Sequence, residues 1–443
     1  MKTIYSLVTK PINQNIAVIR ISGSETFEVI KKIFSTFNPK GNSVNFYKLF
    51  IDKTFVDDVL LLTFVSPNSF TGEDVVEIQS HGSMFVVEKI LSKLNSFGLT
   101  QSEPGAFMKQ AYMNGKIDLT QSEAINTLIV SENKELSKLS SKNINGNQRT
   151  FIDELLKRLG EIVSNIQISI DYPENTDLEK YDPNNIKKEI IKFKNDLSKI
   201  IDDSKKLIKF SKGIVISIIG FPNVGKSTLL NSLSKENKAI VSDIEGTTRD
   251  VIESTMYIDG IKITFQDTAG IRKESKDTIE KEGIKRSYEA MERADIILKI
   301  LDGTKDISKQ INFFSEVDSN YKNKVIEVFS KSDLLKKEKN KIYISAINND
   351  INPLLNSIKD FIKKNIFDSQ NNNALLITNN QVTNFNVVFE NLSNAINMIE
   401  KNEAIDIVAF ELEITMKKLG LIIGKEINQD YMSKHFANFC VGK

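Results

Sequence analysis

The chain has 443 residues, 40% of them apolar and 26% charged, with a formal net charge of +1 at pH 7 and one cysteine, Cys440. Such a length suits about three domains, each with a core of its own, and the near-neutral balance gives no reason in net charge to infer a nucleic-acid partner. One cysteine excludes an internal disulfide and a multi-thiolate zinc site, as expected of a reduced cytoplasm; no apolar run is long enough to span a membrane, and no secretory leader pattern opens the sequence.

Residues 1–116 alternate strand and helix signals. Ile4 to Val8, Ile16 to Ile21, Val59 to Val65 and Val75 to Gln79 read as strands, being β-branched and bounded by turn residues, while Thr26 to Phe34 and Met84 to Leu94 carry helical periodicity. The segment 117–212 is helical: Leu155, Leu159, Ile162, Ile166 and Ile170 fall on one face at spacings of three and four. Asp171-Tyr172-Pro173 ends that helix, Pro183 marks the next boundary, and a Lys-rich amphipathic helix runs from Ile186 to Phe210. The strand Ile214 to Ile219 opens a nucleotide domain over 213–367, and helical patterning returns over 368–443. The expected fold is therefore multidomain, α/β and all-α. It comprises an N-terminal α/β domain, a helical bundle built from two chain segments, and a Ras-like P-loop domain inserted between them.

Four guanine-nucleotide signatures follow in order. The first, Gly220-Phe221-Pro222-Asn223-Val224-Gly225-Lys226-Ser227, lies between a strand and a helix. There glycine lets backbone N–H groups turn toward phosphate oxygens and the helix adds its positive dipole end. Lys226 would reach the β/γ-phosphates, Ser227 would ligate Mg²⁺ through its hydroxyl, and Thr228 continues the phosphate contacts. The second, Gly246-Thr247-Thr248-Arg249-Asp250, offers Thr248 as the other protein ligand to Mg²⁺. The third, Asp267-Thr268-Ala269-Gly270, puts Asp267 in the metal's outer shell and the Gly270 N–H on the γ-phosphate. Ile271 stands where small signalling GTPases carry a water-orienting glutamine. Hydrolysis then needs another group: Glu280 is a candidate, set against a solvated carboxylate at a helix start, and a monovalent cation held by Asn223 could replace an arginine finger. The fourth, Ser330-Lys331-Ser332-Asp333, reads the base, with Asp333 on the guanine N1–H and amine, Lys331 along the ring, and Ser345, Ala346 and Ile347 at the guanine carbonyl. Ser330 stands where Asn is usual, and the lost amide contact costs about 1 kcal/mol. The whole predicted nucleotide set also takes in Ser242, Asp243, Ile244 and Glu245.

The flanks resemble the bacterial and organellar tRNA-modification GTPases of the MnmE (TrmE) family along essentially the whole chain. Val18-Ile19-Arg20-Ile21-Ser22-Gly23, Phe70-Thr71-Gly72-Glu73-Asp74-Val75-Val76-Glu77 with His81-Gly82, Pro104-Gly105-Ala106-Phe107, Asn114-Gly115-Lys116-Ile117-Asp118-Leu119-Thr120-Gln121 and the terminal Phe439-Cys440-Val441-Gly442-Lys443 carry that likeness. The resemblance implies an N-terminal domain that dimerises and binds formyl- or methylene-tetrahydrofolate through Arg20, Glu77, Lys116 and Lys443. It implies K⁺ ligands at Asn223, Ser242, Ile244 (through its carbonyl) and Thr247, and a hydrolytic role for Glu280. It further implies a cytoplasmic enzyme that joins an FAD-dependent MnmG (GidA) partner in a heterotetramer. Together they would place a carboxymethylaminomethyl-type group on C5 of the wobble uridine of certain tRNAs. Cys440 is either a nucleophile toward uridine C6 or a small buried residue ordering the tail. The sequence departs from the family pattern at Ile12-Asn13-Gln14-Asn15, at Ser330 and at Gln381-Val382. The competing readings are a ribosome-assembly or RNA-binding GTPase switch, and a folate-binding scaffold without chemistry of its own.

Overall fold

The computed structural model describes residues 2–131, 133–171, 182–221, 223–235, 253–258, 260–267, 290–314, 319–335, 338, 340–366, 375–425, 432, 435–437, 439 and 442. The chain divides into two compact units, one of Met1–Ile129, Ser141–Asn195 and Thr383–Lys443, the other of Val130–Ser140 and Asp196–Val382. No helix among the described residues is long and apolar enough to cross a membrane.

The first unit is built on a six-stranded sheet of β1 (Ile4–Leu7), β2 (Gln14–Ser22), β3 (Ser43–Ile51), β4 (Thr54–Phe64), β5 (Val75–Gly82) and β6 (Thr100–Gln101), in the order β3-β4-β5-β2-β1-β6. All neighbours are antiparallel except β1 and β6. Helices α1 (Thr26–Ile33) and α2 (Met84–Ser96) supply Val29, Ile30, Val87, Ile90 and Leu94 to a core shared with Ile19, Ile21, Leu61, Val76 and Ile78 of the strands. The period-two alternation of β2 and β5 sends the residues between these, Arg20 and Glu77, to the opposite face. Strand β3 and the first half of β4 carry no strand signal in the sequence. Their apolar residues Val44, Phe46, Phe50 and Phe55 are exposed, so the sequence there lacks the in-out alternation that marks a half-buried strand.

Helices α3 (Ala106–Met113), α4 (Leu119–Val130), α5 (Lys134–Ile144), α6 (Asn147–Asp171) and α7 (Pro183–Ser211) follow. Proline opens α7, where its missing N–H has no intrahelical acceptor to lose. Leu155, Leu159, Ile162 and Ile166 of α6 are buried as expected, but Ile170 is exposed, because the apolar stripe runs out at the last turn. The two flanks meet where α6 packs against the helix Ile405–Ile422: Gln167 Nε2 donates to Glu413 Oε1 at 2.7 Å, and Lys425 lies 3.1 Å from Asp153. Their opposite order along the pair makes the helices antiparallel.

The motif Pro104-Gly105-Ala106-Phe107 receives the end of the chain. Gly105 has φ +69°, and a Cβ there would collide with the Phe436 carbonyl. Beside it Met432, Phe436 and Phe439 pack with Met108 and Leu119.

The second unit holds a sheet in the order β12-β11-β10-β7-β9-β8, parallel except between β8 and β9. The strands are β7 (Ile214–Gly220), β8 (Glu253–Ile258), β9 (Ile261–Asp267), β10 (Ile296–Asp302), β11 (Val325–Ser330) and β12 (Ile342–Tyr343). β10 is buried at every residue, as suits a parallel strand covered on both faces, although Lys299 and Asp302 interrupt and end its apolar run. Helix α8 (Lys226–Lys235) follows β7, α9 (Ile307–Phe313) follows β10, and α10 (Asn352–Ile366) follows β12. The last turn of α7 is fastened to the sheet by Lys209, which lies 2.5 Å from Asp295, whose other oxygen accepts the Val215 N–H at 3.1 Å.

Gly105→Ala is expected to destabilise the first unit by roughly 2–4 kcal/mol, since it strains a left-handed backbone and drives a methyl into a carbonyl. Urea unfolding of the full chain checks this; an unchanged midpoint would mean the tail does not pack there.

Candidate functional site

The phosphate loop leaves the sheet at the carboxyl end of β7, between β9 and β10, where the chain's order across the sheet reverses and parallel sheets form their ligand crevices. Gly220 abuts β10 so closely that a Cβ would stand 2.6 Å from the Ile300 carbonyl oxygen. Asn223 (φ 64°) and Gly225 (φ +101°) then turn the backbone through left-handed conformations, and the Gly225 carbonyl accepts the Leu229 N–H at 2.9 Å, starting α8. Val224 is buried under the loop, while Asn223, Ser227 and Thr228 are exposed at its rim. The Lys226 ammonium donates to the carbonyls of Gly220 (2.7 Å) and Phe221 (2.9 Å), so the loop's own backbone fixes this cation.

The base-reading turn leaves the same carboxyl end of the sheet, two strands away. Lys331 follows β11 with φ 59°, and Ser332–Leu334 form a short 3-10 turn. Asp333 is exposed, and its Oδ1 accepts the Ser345 hydroxyl at 2.7 Å. Ser345 pairs in turn with Asp350, and Asn349 Oδ1 accepts the Ser232 hydroxyl of α8 at 2.5 Å, which ties the Ser345-Ala346-Ile347 turn to the helix of the phosphate loop. Ile347 is fully displayed at 80% exposure. Ser330 points back into the sheet, its hydroxyl donating to the Leu301 carbonyl at 3.1 Å.

Asp302, at the end of β10, is a residue that the sequence motifs do not include. It is wholly buried; its Oδ2 lies 2.7 Å from the Lys331 ammonium, and its Oδ1 accepts both the N–H (3.0 Å) and the hydroxyl (2.6 Å) of Thr304. Burial acts to raise its pKa, but the Lys331 and Thr304 hydrogen bonds outweigh that and hold the carboxyl below its ordinary value.

In the first unit, Arg20 and Glu77 face each other across β2 and β5, joined by Nε to Oε1 at 2.8 Å and Nη2 to Oε1 at 2.7 Å. Each of these two expected folate residues thus neutralises the other. Arg20 also donates to the Gly442 carbonyl at 3.4 Å and lies over the rings of Phe107 (5.6 Å) and Phe70 (6.0 Å). Lys116 donates to the Pro67 carbonyl at 2.9 Å, and the intervening loop is held by Thr71, which bonds Ser22 (2.8 Å) and, through its carbonyl, Asn114 (2.7 Å). One loop thus links Arg20, Glu77 and Lys116.

Two family models match the chain: the one described as the GTP-binding protein TrmE N-terminus over residues 3–116, and the MnmE helical domain over residues 119–440. The chain is 38% identical to the tRNA modification GTPase MnmE of Ureaplasma parvum over 100% of both chains. It is 37% identical to that of Malacoplasma penetrans over 100% of this chain and 99% of the relative. The chain belongs to the MnmE family of tRNA-modification GTPases. A solved structure of Era with a 16S ribosomal RNA fragment is 28% identical over 35% of this chain and 58% of its own, at a TM-score of 0.27, too low to bear on the fold.

Several of the residues expected to act in this MnmE-family chain lie outside the described residues: Ser242, Asp243, Ile244, Glu245, Gly246, Thr247, Thr248, Thr268, Ala269, Gly270, Glu280, Cys440 and Lys443. Asp267 ends β9, beside Ile218 in the register with β7. The departures from the family pattern have structural roles here. Asn13 Oδ1 accepts the Met84 N–H at 3.0 Å, fastening the Ile12–Asn15 turn to α2, and buried Gln381 accepts the Ile377 N–H at 2.9 Å.

Next to Phe439 the tail buries His435 between the rings of Phe436 and Phe439, with Glu123 at 3.8 Å. Burial pushes its imidazole down to about 4, so between that value and its ordinary 6.5 the folded chain binds fewer protons than the unfolded one. Its share of stability is complete above the ordinary value and is lost as pH falls through that window. Between about pH 7 and about pH 5 the loss is about 2 kcal/mol. His435→Leu is expected to flatten urea stability over that range; an equally steep profile in the variant would assign the dependence to other groups.

Proposed function

We propose that this chain hydrolyses GTP to drive modification of the wobble uridine of certain tRNAs. It would act with an FAD-dependent MnmG-type partner and a formyl- or methylene-tetrahydrofolate donor to place a carboxymethylaminomethyl-type group on C5. The observation that carries the nucleotide part is the lysine fixed over its own loop: Lys226 is already held where β/γ-phosphate oxygens can replace the Gly220 and Phe221 carbonyls as acceptors. Guanine is the favoured base because the Asp333 carboxylate, oriented by Ser345, suits two adjacent N–H donors. A match that includes the N-terminal segment 3–116 as well as the rest of the chain supports tRNA modification over a ribosome-assembly switch.

Mg²⁺ would be held by Ser227 and Thr248, and K⁺ by Asn223, Ser242, Thr247 and the Ile244 carbonyl. The exposed hydroxyl and amide residues at the loop rim, Ser227 and Asn223, fit hard cations that prefer oxygen ligands. Bound there, the ions would neutralise charge on the transferring phosphoryl group. Glu280 would orient the attacking water, the task Ile271 cannot perform. Folate would lie at the joined Arg20 and Glu77, with Glu77 toward the N–H edge of its pterin and Arg20, Lys116 and Lys443 toward its glutamate carboxylates. When bound, it supplies a one-carbon unit. The domain arrangement that goes with this reading is 1–116 for dimerisation and folate, 117–212 and 368–443 for the helical domain, and 213–367 for GTP.

Nucleoside mass spectrometry of tRNA from cells depleted of the protein tests the reading. Loss of carboxymethylaminomethyl- or aminomethyl-uridine, restored by the intact chain and not by Lys226→Ala, is expected; unchanged nucleosides after verified depletion would reject it. Cys440→Ser separates the two roles of that thiol, since a nucleophile's loss abolishes modification with GTP hydrolysis intact, whereas a packing residue's loss leaves modification running.

A further inference from the structure

The base-reading turn is held by a residue outside the nucleotide signatures. Ser330 cannot hold it, because its hydroxyl is committed to the Leu301 carbonyl inside the sheet. The next residue, Lys331, sits in a left-handed backbone conformation and is a third exposed, so its long stem has rotamer freedom to lose. Its ammonium is bound by Asp302 at 2.7 Å. Asp302 is itself clamped at every polar group: Thr304 fills Oδ1, Gln310 Oε1 accepts its backbone N–H at 2.9 Å, and Gln310 Nε2 donates to its carbonyl at 3.0 Å. A rigid buried anion therefore fixes one end of a lysine whose other end begins the turn bearing Asp333.

Resting on the GTP reading above, we propose that Asp302 is a positioning residue for the guanine base: it stretches Lys331 into a fixed apolar ledge on which the purine ring lies. Asp333 reads the base's edge, so it sets identity. Asp302 acts on the ring's face, so it sets affinity for hypoxanthine and guanine alike and leaves their ratio untouched. It lies on the base side of the site, so the chemical step at the phosphates does not depend on it.

The test measures GDP and inosine diphosphate affinity and steady-state GTP hydrolysis for the full-length wild type, Asp302→Asn, Lys331→Met and the double variant. Asp302→Asn is expected to weaken both nucleotides about tenfold and to raise KM for GTP by a similar factor, with kcat at saturating GTP held within about twofold. In the Lys331→Met background the same substitution is expected to add less than about twofold, because the group it acts through is gone. Undiminished GDP affinity in Asp302→Asn overturns the proposal. So does the full tenfold loss in the Lys331→Met background, or a kcat that falls with affinity, each of which marks a general role in the strand. If Asp302→Asn does not fold, Lys331→Met alone decides, since it keeps a stem without its tether: full GDP affinity there overturns the ledge. A wild-type chain that binds neither nucleotide would instead overturn the GTP reading itself.

Discussion

The pairing of β10 with its two neighbours governs the nucleotide site. Its register sets Ile300 beside Gly220 on one side and Asp302 beside Ser330 on the other. Because the strands are parallel, both turns leave the sheet at the same edge, one toward phosphate and one toward base. Close backbone packing at Gly220 and a buried carboxylate at Asp302 then fix how each turn departs. A strand buried at all of its residues resists shifts in register, since a slip would move backbone hydrogen bonds on both sides at once.

Electrostatics inside the two units follow one pattern. Lys226 is neutralised by carbonyl dipoles, Lys331 by Asp302, and Arg20 by Glu77. Each is a charge held in place by a fixed partner, so it can meet a ligand without first being ordered. Removing one partner from such a pair leaves the other charge exposed to a poor environment, which makes these positions more sensitive than an exposed ion pair such as Lys138–Glu135.

Much of this was legible in the sequence, for identifiable reasons. The phosphate loop declares itself because glycine, lysine and serine occur at a characteristic spacing after a strand, and β7 because Ile214 to Ile219 is β-branched and apolar at every position but Ser217. The helix start at Pro183 is legible because proline's missing N–H suits the first helical position. The fastening contacts were not legible. Asp302 and Lys331 are 29 residues apart, and Arg20 and Glu77 are 57 apart. Neither pair lies within one element, and no periodicity links them. Strand β3 was hidden for another reason: its exposed Val44, Phe46 and Phe50 obscure the side that faces the core.

The contact between Arg20 and the Gly442 carbonyl closes a span of 422 residues. Loop closure of that length costs little more in free energy than a span half as long, because the entropy grows only with the logarithm. It costs a great deal in time. At about 5–20 residues per second, roughly 20–80 s separate the emergence of those two residues from the ribosome. For most of that interval Met108 and Leu119, once made, lack the Met432, Phe436 and Phe439 side chains that pack on them in the finished fold. The N-terminal unit is thus completed late, with an apolar surface open to chaperones, or to aggregation, until the segment that covers it has been made.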